Sequence, residues 1–262
     1  MPYFYVDGFR GYYEVEGDGS PLIMIHGASQ DTLSWHDNIP YFSKNYKVFA
    51  IDLPGHGKSA LMKKQPIRTN KEFADFIWTF IETLKIRKPV LIGHSMGAGI
   101  AVSVSIDHPD AIKAVVAIDG GAAFSGPTGV SYQPELLKSV EVNPTDWFET
   151  MFLSLVGRTT PIAKREEMAF DVTRCSPYVA FCDLLTYASF NLNGRIDQIK
   201  VPIYYITGED DWSTTPDMVI ETSKKLKVKT EVIVLRGIGH IPHWEQPEKF
   251  NEALESVLKK IG

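Results

Sequence analysis

Short, uninterrupted apolar runs recur along this 262-residue chain, separated by segments whose apolar positions repeat every three or four residues. Leu22-Ile23-Met24-Ile25, Val48-Phe49-Ala50-Ile51, Val90-Leu91-Ile92 and Ala114-Val115-Val116-Ala117-Ile118 have the length and continuity of strands buried on both faces. Ile203-Tyr204-Tyr205-Ile206 and Val232-Ile233-Val234-Leu235 repeat the pattern near the end. Between them, Phe73, Phe76, Ile77, Phe80, Ile81 and Leu84 fall on one face of a helix, as do Phe250, Leu254, Val257 and Leu258. Residues 2–6 and 10–16, rich in aromatic and β-branched residues and split by Asp7-Gly8, predict an N-terminal hairpin. Alternation of this kind predicts βαβ units: an α/β fold with a mostly parallel, eight-stranded twisted sheet flanked by helices.

Residues 121–195 break the alternation. They carry many aromatic and aliphatic residues without a clear strand, so they read as a helical cap inserted after the sixth strand. The core is then residues 1–120 and 196–262.

The composition narrows the function. Hydrophobic residues make up 44% and charged residues 23%, enough for a substantial core, and the net charge is −5. A negative chain without a clustered basic face is a poor partner for nucleic acid. No apolar stretch approaches a membrane span, and the N-terminus does not read as a signal peptide. The two cysteines, Cys175 and Cys182, read as reduced thiols in a cytoplasmic protein. Nothing in the chain chooses between a monomer and a homodimer.

Gly93-His94-Ser95-Met96-Gly97 directly follows an apolar run and opens a helix-like one. In that context G-x-S-x-G is a sharp strand-to-helix turn that exposes the serine hydroxyl, so Ser95 is the candidate nucleophile. A serine needs a base, and Gly237-Ile238-Gly239-His240 places His240 just beyond the last strand. The base needs an acid to fix its tautomer. Asp211, in Gly208-Glu209-Asp210-Asp211-Trp212, is the first choice, with Asp210 second and Asp119 third. Oxyanion donors are expected from the Met96 N–H and from the loop His26-Gly27-Ala28-Ser29, at Ala28 with Ser29 as the fallback. The expected pocket residues are Ser29, Trp35, Phe124, Trp147, Phe152, Trp212 and His243.

Two other signals are rejected. Gly57-Lys58-Ser59 lacks the glycine five residues earlier that a phosphate loop needs, since Asp52 stands there. His240-x-x-His243 lacks the spacing and glutamate of a zinc motif, so neither metal nor cofactor is expected.

Taken together, His26-Gly27, Asp52-Leu53-Pro54-Gly55-His56-Gly57-Lys58-Ser59, the Ser95 motif, Gly208-x-x-Asp211 and Gly239-His240 resemble the α/β-hydrolase superfamily over nearly the whole chain. The resemblance implies a triad of Ser95, Asp211 and His240 acting on a small-molecule ester or lactone. Ser95-Met96-Gly97 and Trp244 also resemble meta-cleavage-product C–C hydrolases, although Ile241 replaces the aromatic residue those enzymes usually carry after the histidine. A ligand-sensing protein on the same fold is the third reading.

Overall fold

The computed structural model describes residues 2–122 and 144–262. Among them, eight strands form one sheet: β1 (Tyr3–Val6), β2 (Phe9–Glu16), β3 (Ser20–Ile25), β4 (Tyr46–Ile51), β5 (Val90–His94), β6 (Ala114–Ile118), β7 (Ile203–Gly208) and β8 (Thr230–Leu235). Their order is β1-β2-β4-β3-β5-β6-β7-β8. The hairpin β1–β2 and the β2–β4 pair are antiparallel, and every later pairing is parallel. Asp7 (φ 46°) and Gly8 (φ 77°) supply the two left-handed residues that a tight hairpin turn requires. The predicted mostly parallel α/β sheet is therefore the observed one.

Its helices are α1 (Ile39–Phe42), α2 (Asn70–Thr83), α3 (Met96–Asp107), α4 (Pro144–Leu155), α5 (Ile162–Val172), α6 (Pro177–Ser189), α7 (Pro216–Lys225), α8 (Pro242–Glu245) and α9 (Pro247–Ile261). Thr69 caps α2 by accepting the Glu72 N–H, and the stripe Phe73, Phe76, Ile77, Phe80 and Ile81 is buried. By contrast α3 has no polar face at all: it is buried from Met96 to Ile106, between the sheet and α2.

Each sheet face has its own core. Phe4, Phe9, Phe76 and Phe80 gather on the face covered by α2 and α3. Trp35, Phe42, Phe250 and Leu254 gather on the other, beneath α9. The parallel strands are thus covered on both sides, which explains why they read as continuous apolar runs and not as alternating ones.

Between β6 and β7, α4, α5 and α6 build a third, smaller cluster around Phe152, Met168, Val172, Ala180 and Leu184. It closes on Ile241 and Trp244 of the last loop, so these helices are packed onto the strands' C-terminal edge. The chain rejoins the main core at Phe190 and Leu192.

Phe80 is fully buried and meets Phe4, Tyr13 and Phe49. Phe80→Ala should lower unfolding free energy by about 3–5 kcal/mol in urea denaturation. A loss below about 1 kcal/mol would mean that this face is not a packed core.

Candidate active site

Four loops leave the C-terminal ends of parallel strands and converge on one point. After β5 the chain turns so sharply that Ser95 adopts φ 50° and ψ −115°, outside the ordinary regions for a side-chain-bearing residue. The two glycines make the turn passable. A Cβ on Gly93 would lie 2.2 Å from the Gly97 carbonyl oxygen, and one on Gly97 would lie 2.4 Å from that of Ile25. The turn is held by the Ser95 N–H, which donates to Ile118 of β6 at 2.8 Å.

His240 comes from the loop after β8. Its Nε2 is 2.9 Å from Ser95 Oγ and its Nδ1 is 2.7 Å from Asp211 Oδ2. The other Asp211 oxygen accepts the N–H groups of Ser213 (2.7 Å) and Thr214 (3.1 Å). Burial works against ionising Asp211, but the His240 charge and hydrogen bond and these N–H donors outweigh it and hold its carboxyl below the usual range. Neighbouring Asp210 points elsewhere, to the surface, where it pairs with Arg158. The geometry thus separates two adjacent aspartates that differ little in sequence.

Ala28 follows β3 and lines the same cavity as Ser95, while Met96 is the first residue of α3. The first N–H groups of a helix have no partner within it, so the Met96 N–H, next to the serine in sequence, is not used by the helix itself.

The cavity holds about 260 Å³ and is mostly apolar. Trp147, Met151 and Phe152 of α4, Leu184 and Tyr187 of α6, and Trp212 wall it. Trp212 is half-exposed at the rim, with its indole N–H donated to the Ser154 carbonyl at 2.8 Å.

Three expected pocket residues lie elsewhere. Trp35 is fully buried in the α9 core, and His243 stacks on it with ring centroids 4.1 Å apart. The helical turn that begins at Pro242 carries the His243 ring away from the serine and into that core. Ser29 has φ 60°, which turns its side chain toward a separate cavity lined by Gly55, Gly57 and Cys175. Phe124 lies outside the described residues.

Further polar groups in the neighbourhood fasten the loops of the site to one another. Glu245 is buried and receives the N–H groups of Gly157 (2.8 Å), Gly239 (3.0 Å) and Ile241 (2.9 Å), together with the Thr160 hydroxyl. It therefore ties the histidine loop to the chain leaving α4. The Leu155 carbonyl completes the tie by accepting the His240 N–H at 2.9 Å. His94 donates from Nε2 to the His240 carbonyl at 2.7 Å, and burial beside His240 pushes its pKa down to about 3, so its ring is neutral.

Among the described residues, two clusters gather groups capable of holding a metal ion: Asp119, Asp211 and His240, and His56, Cys175 and Asp183, each with donor atoms within 4.8 Å. In the first, both His240 nitrogens are already engaged with Ser95 and Asp211. In the second, His56 Nε2 donates to Asp183 at 2.8 Å. Direct hydrogen bonding accounts for both.

Asp119 ends β6 and is buried. One oxygen accepts the Thr207 hydroxyl (2.8 Å) and the Gly208 N–H (2.9 Å), and the other has no hydrogen-bond partner among the described residues. Burial and the Asp211 charge push its carboxyl well above the usual range, while that of Asp211 is held below it. Unfolded, Asp119 would ionise near 3.8. The folded state therefore loses stability, relative to the unfolded chain, as pH rises from there toward the folded value. The amide introduced by Asp119→Asn does not ionise in either state. The stability advantage of this variant over the parent should therefore grow above about pH 4, by at most about 1.4 kcal/mol per unit, and then level off. A difference constant from pH 4 to 8 in denaturant titrations would contradict the upward shift.

Comparison with known proteins agrees with this architecture. The family model for the alpha/beta hydrolase fold matches residues 20–160. Similar sequences include the (E)-2-((N-methylformamido)methylene)succinate hydrolase of Acinetobacter baylyi, 28% identical and covering 95% of this chain and 94% of that one. The pimeloyl-[acyl-carrier protein] methyl ester esterase of Aliivibrio fischeri is 23% identical, over 95% and 97% respectively. Among solved structures, Est816, described as an N-acyl homoserine lactone degrading enzyme, superposes with a TM-score of 0.84 at 23% identity, covering 97% of this chain and 99% of its own. The family match spans more than half of the sequence and the observed sheet agrees with it: the chain belongs to the α/β-hydrolase fold family.

Proposed function

We propose that the protein is a serine hydrolase that cleaves uncharged carboxylic esters or lactones through an acyl-enzyme. The observation that carries this reading is the continuous line Asp211–His240–Ser95, with bonds of 2.7 and 2.9 Å, ending at the wall of an apolar cavity. Hydrolase relatives with ester and lactone substrates in their names support the same class.

In this reading Ser95 Oγ attacks the carbonyl carbon while its proton passes to His240 Nε2. Asp211 holds the imidazole with Nδ1–H outward and stabilises the imidazolium. The Ala28 and Met96 N–H groups receive the oxyanion. When the intermediate collapses, the C–O bond to the leaving group breaks and His240 returns its proton to that oxygen. Water then attacks the acyl carbon, gives its proton to His240, and the acid departs as Ser95 regains its hydrogen.

The cavity wall adds a restriction on substrate. Its described lining contains no lysine or arginine, and its side chains are chiefly aromatic and aliphatic. A carboxylate buried there would lose hydration without gaining a counter-charge, which strongly opposes its binding. The acyl group is accordingly apolar, within the size that about 260 Å³ allows.

With p-nitrophenyl esters of graded chain length and a set of lactones, steady turnover is expected and should vanish in Ser95→Ala. Asp211→Asn should lower kcat by roughly 10⁴-fold, whereas Asp210→Asn, at the surface ion pair, should stay within a few-fold of the parent. Absence of turnover across esters and lactones, or cleavage of a vinylogous diketone alone, would overturn the ester reading. Loss of activity in Asp210→Asn with retention in Asp211→Asn would overturn the assignment of the acid.

A further inference from the structure

The loop that presents Ala28 is fixed by a group from the opposite side of the cavity. Among the described residues of Gly27–Gln30, three N–H groups are already occupied. Gly27 donates to the Gln30 side chain at 2.9 Å, Gln30 donates weakly back to the Gly27 carbonyl at 3.4 Å, and Ser29 donates to Asp183 Oδ2 at 2.8 Å. Ala28 lines the cavity beside Ser95. Ser29, next in the chain, sits at φ 60°, a conformation that a residue with a side chain adopts at a cost and keeps only when its surroundings hold it.

Asp183 belongs to α6, 154 residues further on in the sequence. It is 1% exposed, and the oxygen that accepts the Ser29 N–H also accepts His56 Nε2–H at 2.8 Å. His56 is likewise buried, in the turn that follows β4, with Nδ1 facing the Pro54 carbonyl at 3.3 Å. Burial alone would strip its proton, but the Asp183 charge, with the Cys175 thiol beside it, raises its pKa well above the ordinary histidine value. The pair is therefore imidazolium and carboxylate, enclosed between α6 and the sheet edge. A buried ion pair is a weak source of stability, because desolvation of both charges offsets their attraction. What this pair does supply is direction: it holds one acceptor oxygen on the Ser29 N–H and so fixes the peptide that follows Ala28.

We propose that Asp183, held by His56, is a positioning residue for the oxyanion site: it sets the orientation of the Ala28 N–H through Ser29. In this arrangement the oxyanion site is completed only with α6 seated on the sheet edge. The inference rests on the acyl-transfer reading above and adds to it a residue that touches neither substrate nor Ser95.

The test uses the whole chain and a p-nitrophenyl ester that it turns over. Asp183→Ala removes the acceptor and should lower kcat by about 10²-fold, the range seen when an oxyanion donor is lost, while KM changes less than about threefold. A trifluoromethyl ketone, which forms a tetrahedral adduct with serine, should weaken in parallel, whereas the corresponding trifluoromethyl alcohol, which forms no adduct, should bind as before. Asp183→Asn keeps an oxygen for the Ser29 N–H and should restore most of the turnover. A purely structural role would instead lower the folded fraction and leave kcat per folded molecule and the ketone-to-alcohol affinity ratio unchanged.

Should Asp183→Ala fail to fold, Asp183→Glu keeps the charge but displaces the oxygen by one methylene, and should lose at least about tenfold in kcat at similar KM. The proposal is overturned if the folded Asp183→Ala or Asp183→Glu protein keeps kcat within threefold of the parent, or if Asp183→Asn is as impaired as Asp183→Ala. Turnover that survives Ser95→Ala overturns the acyl-transfer reading itself. Ser95-dependent turnover that ignores Asp183 overturns only the positioning role.

Discussion

The backbone at Ser95 is the constraint on which the rest of the site depends. A residue at φ 50° and ψ −115° relaxes unless the chain on both sides leaves it no alternative. Here that confinement comes from three neighbours. Gly93 and Gly97 approach other backbone so closely that a Cβ would lie within 2.5 Å of a carbonyl oxygen, and the Ser95 N–H is bound to β6. The same geometry sets Ser95 at the wall of the cavity and places the start of α3, at Met96, directly beside it. The strain, the nucleophile and the helix start beside it follow from one turn, and the cores on the two faces of the sheet hold β5 around it.

Around that turn, buried carboxyl groups do the aligning. Asp211 orients the imidazole, Glu245 gathers the N–H groups on either side of it, and Asp183 holds the loop before α1. Asp119 stands apart, since burial and the charge of neighbouring Asp211 push its carboxyl well above the usual range. Asp211, Glu245 and Asp183 each accept at least one N–H donor, which is the condition under which a buried carboxyl oxygen is tolerable. Two of them, Glu245 and Asp183, also join the helices between β6 and β7 to the loops that follow the strands. The walls of the cavity and its chemical groups therefore share the same fastenings.

Most of the sheet was legible because burial on both faces leaves an unmistakable run of apolar residues, as at Leu22–Ile25 and Ala114–Ile118. Ser95 was legible because a strained turn needs glycines at fixed offsets, and His240 because it follows the last such run. The pocket was less so. Trp35 and His243 look like recognition residues in sequence, yet the turn at Pro242 and the packing beneath α9 carry them into the opposite core. Asp183 gave no signal, since the backbone N–H it accepts lies 154 residues away in the chain and carries no side-chain identity. Nor could periodicity choose between Asp210 and Asp211: only the direction of each side chain separates them, one toward Arg158 and the other toward His240.

The central claim is that Ser95 is made nucleophilic by His240, and covalent labelling tests it most directly. A fluorophosphonate should add once per chain, and peptide mass spectrometry should locate the adduct on Ser95. Labelling should be absent in Ser95→Ala and at least about 10²-fold slower in His240→Ala, as expected for loss of a general base. An adduct on another residue, or labelling of Ser95 at the parental rate without His240, would contradict the account.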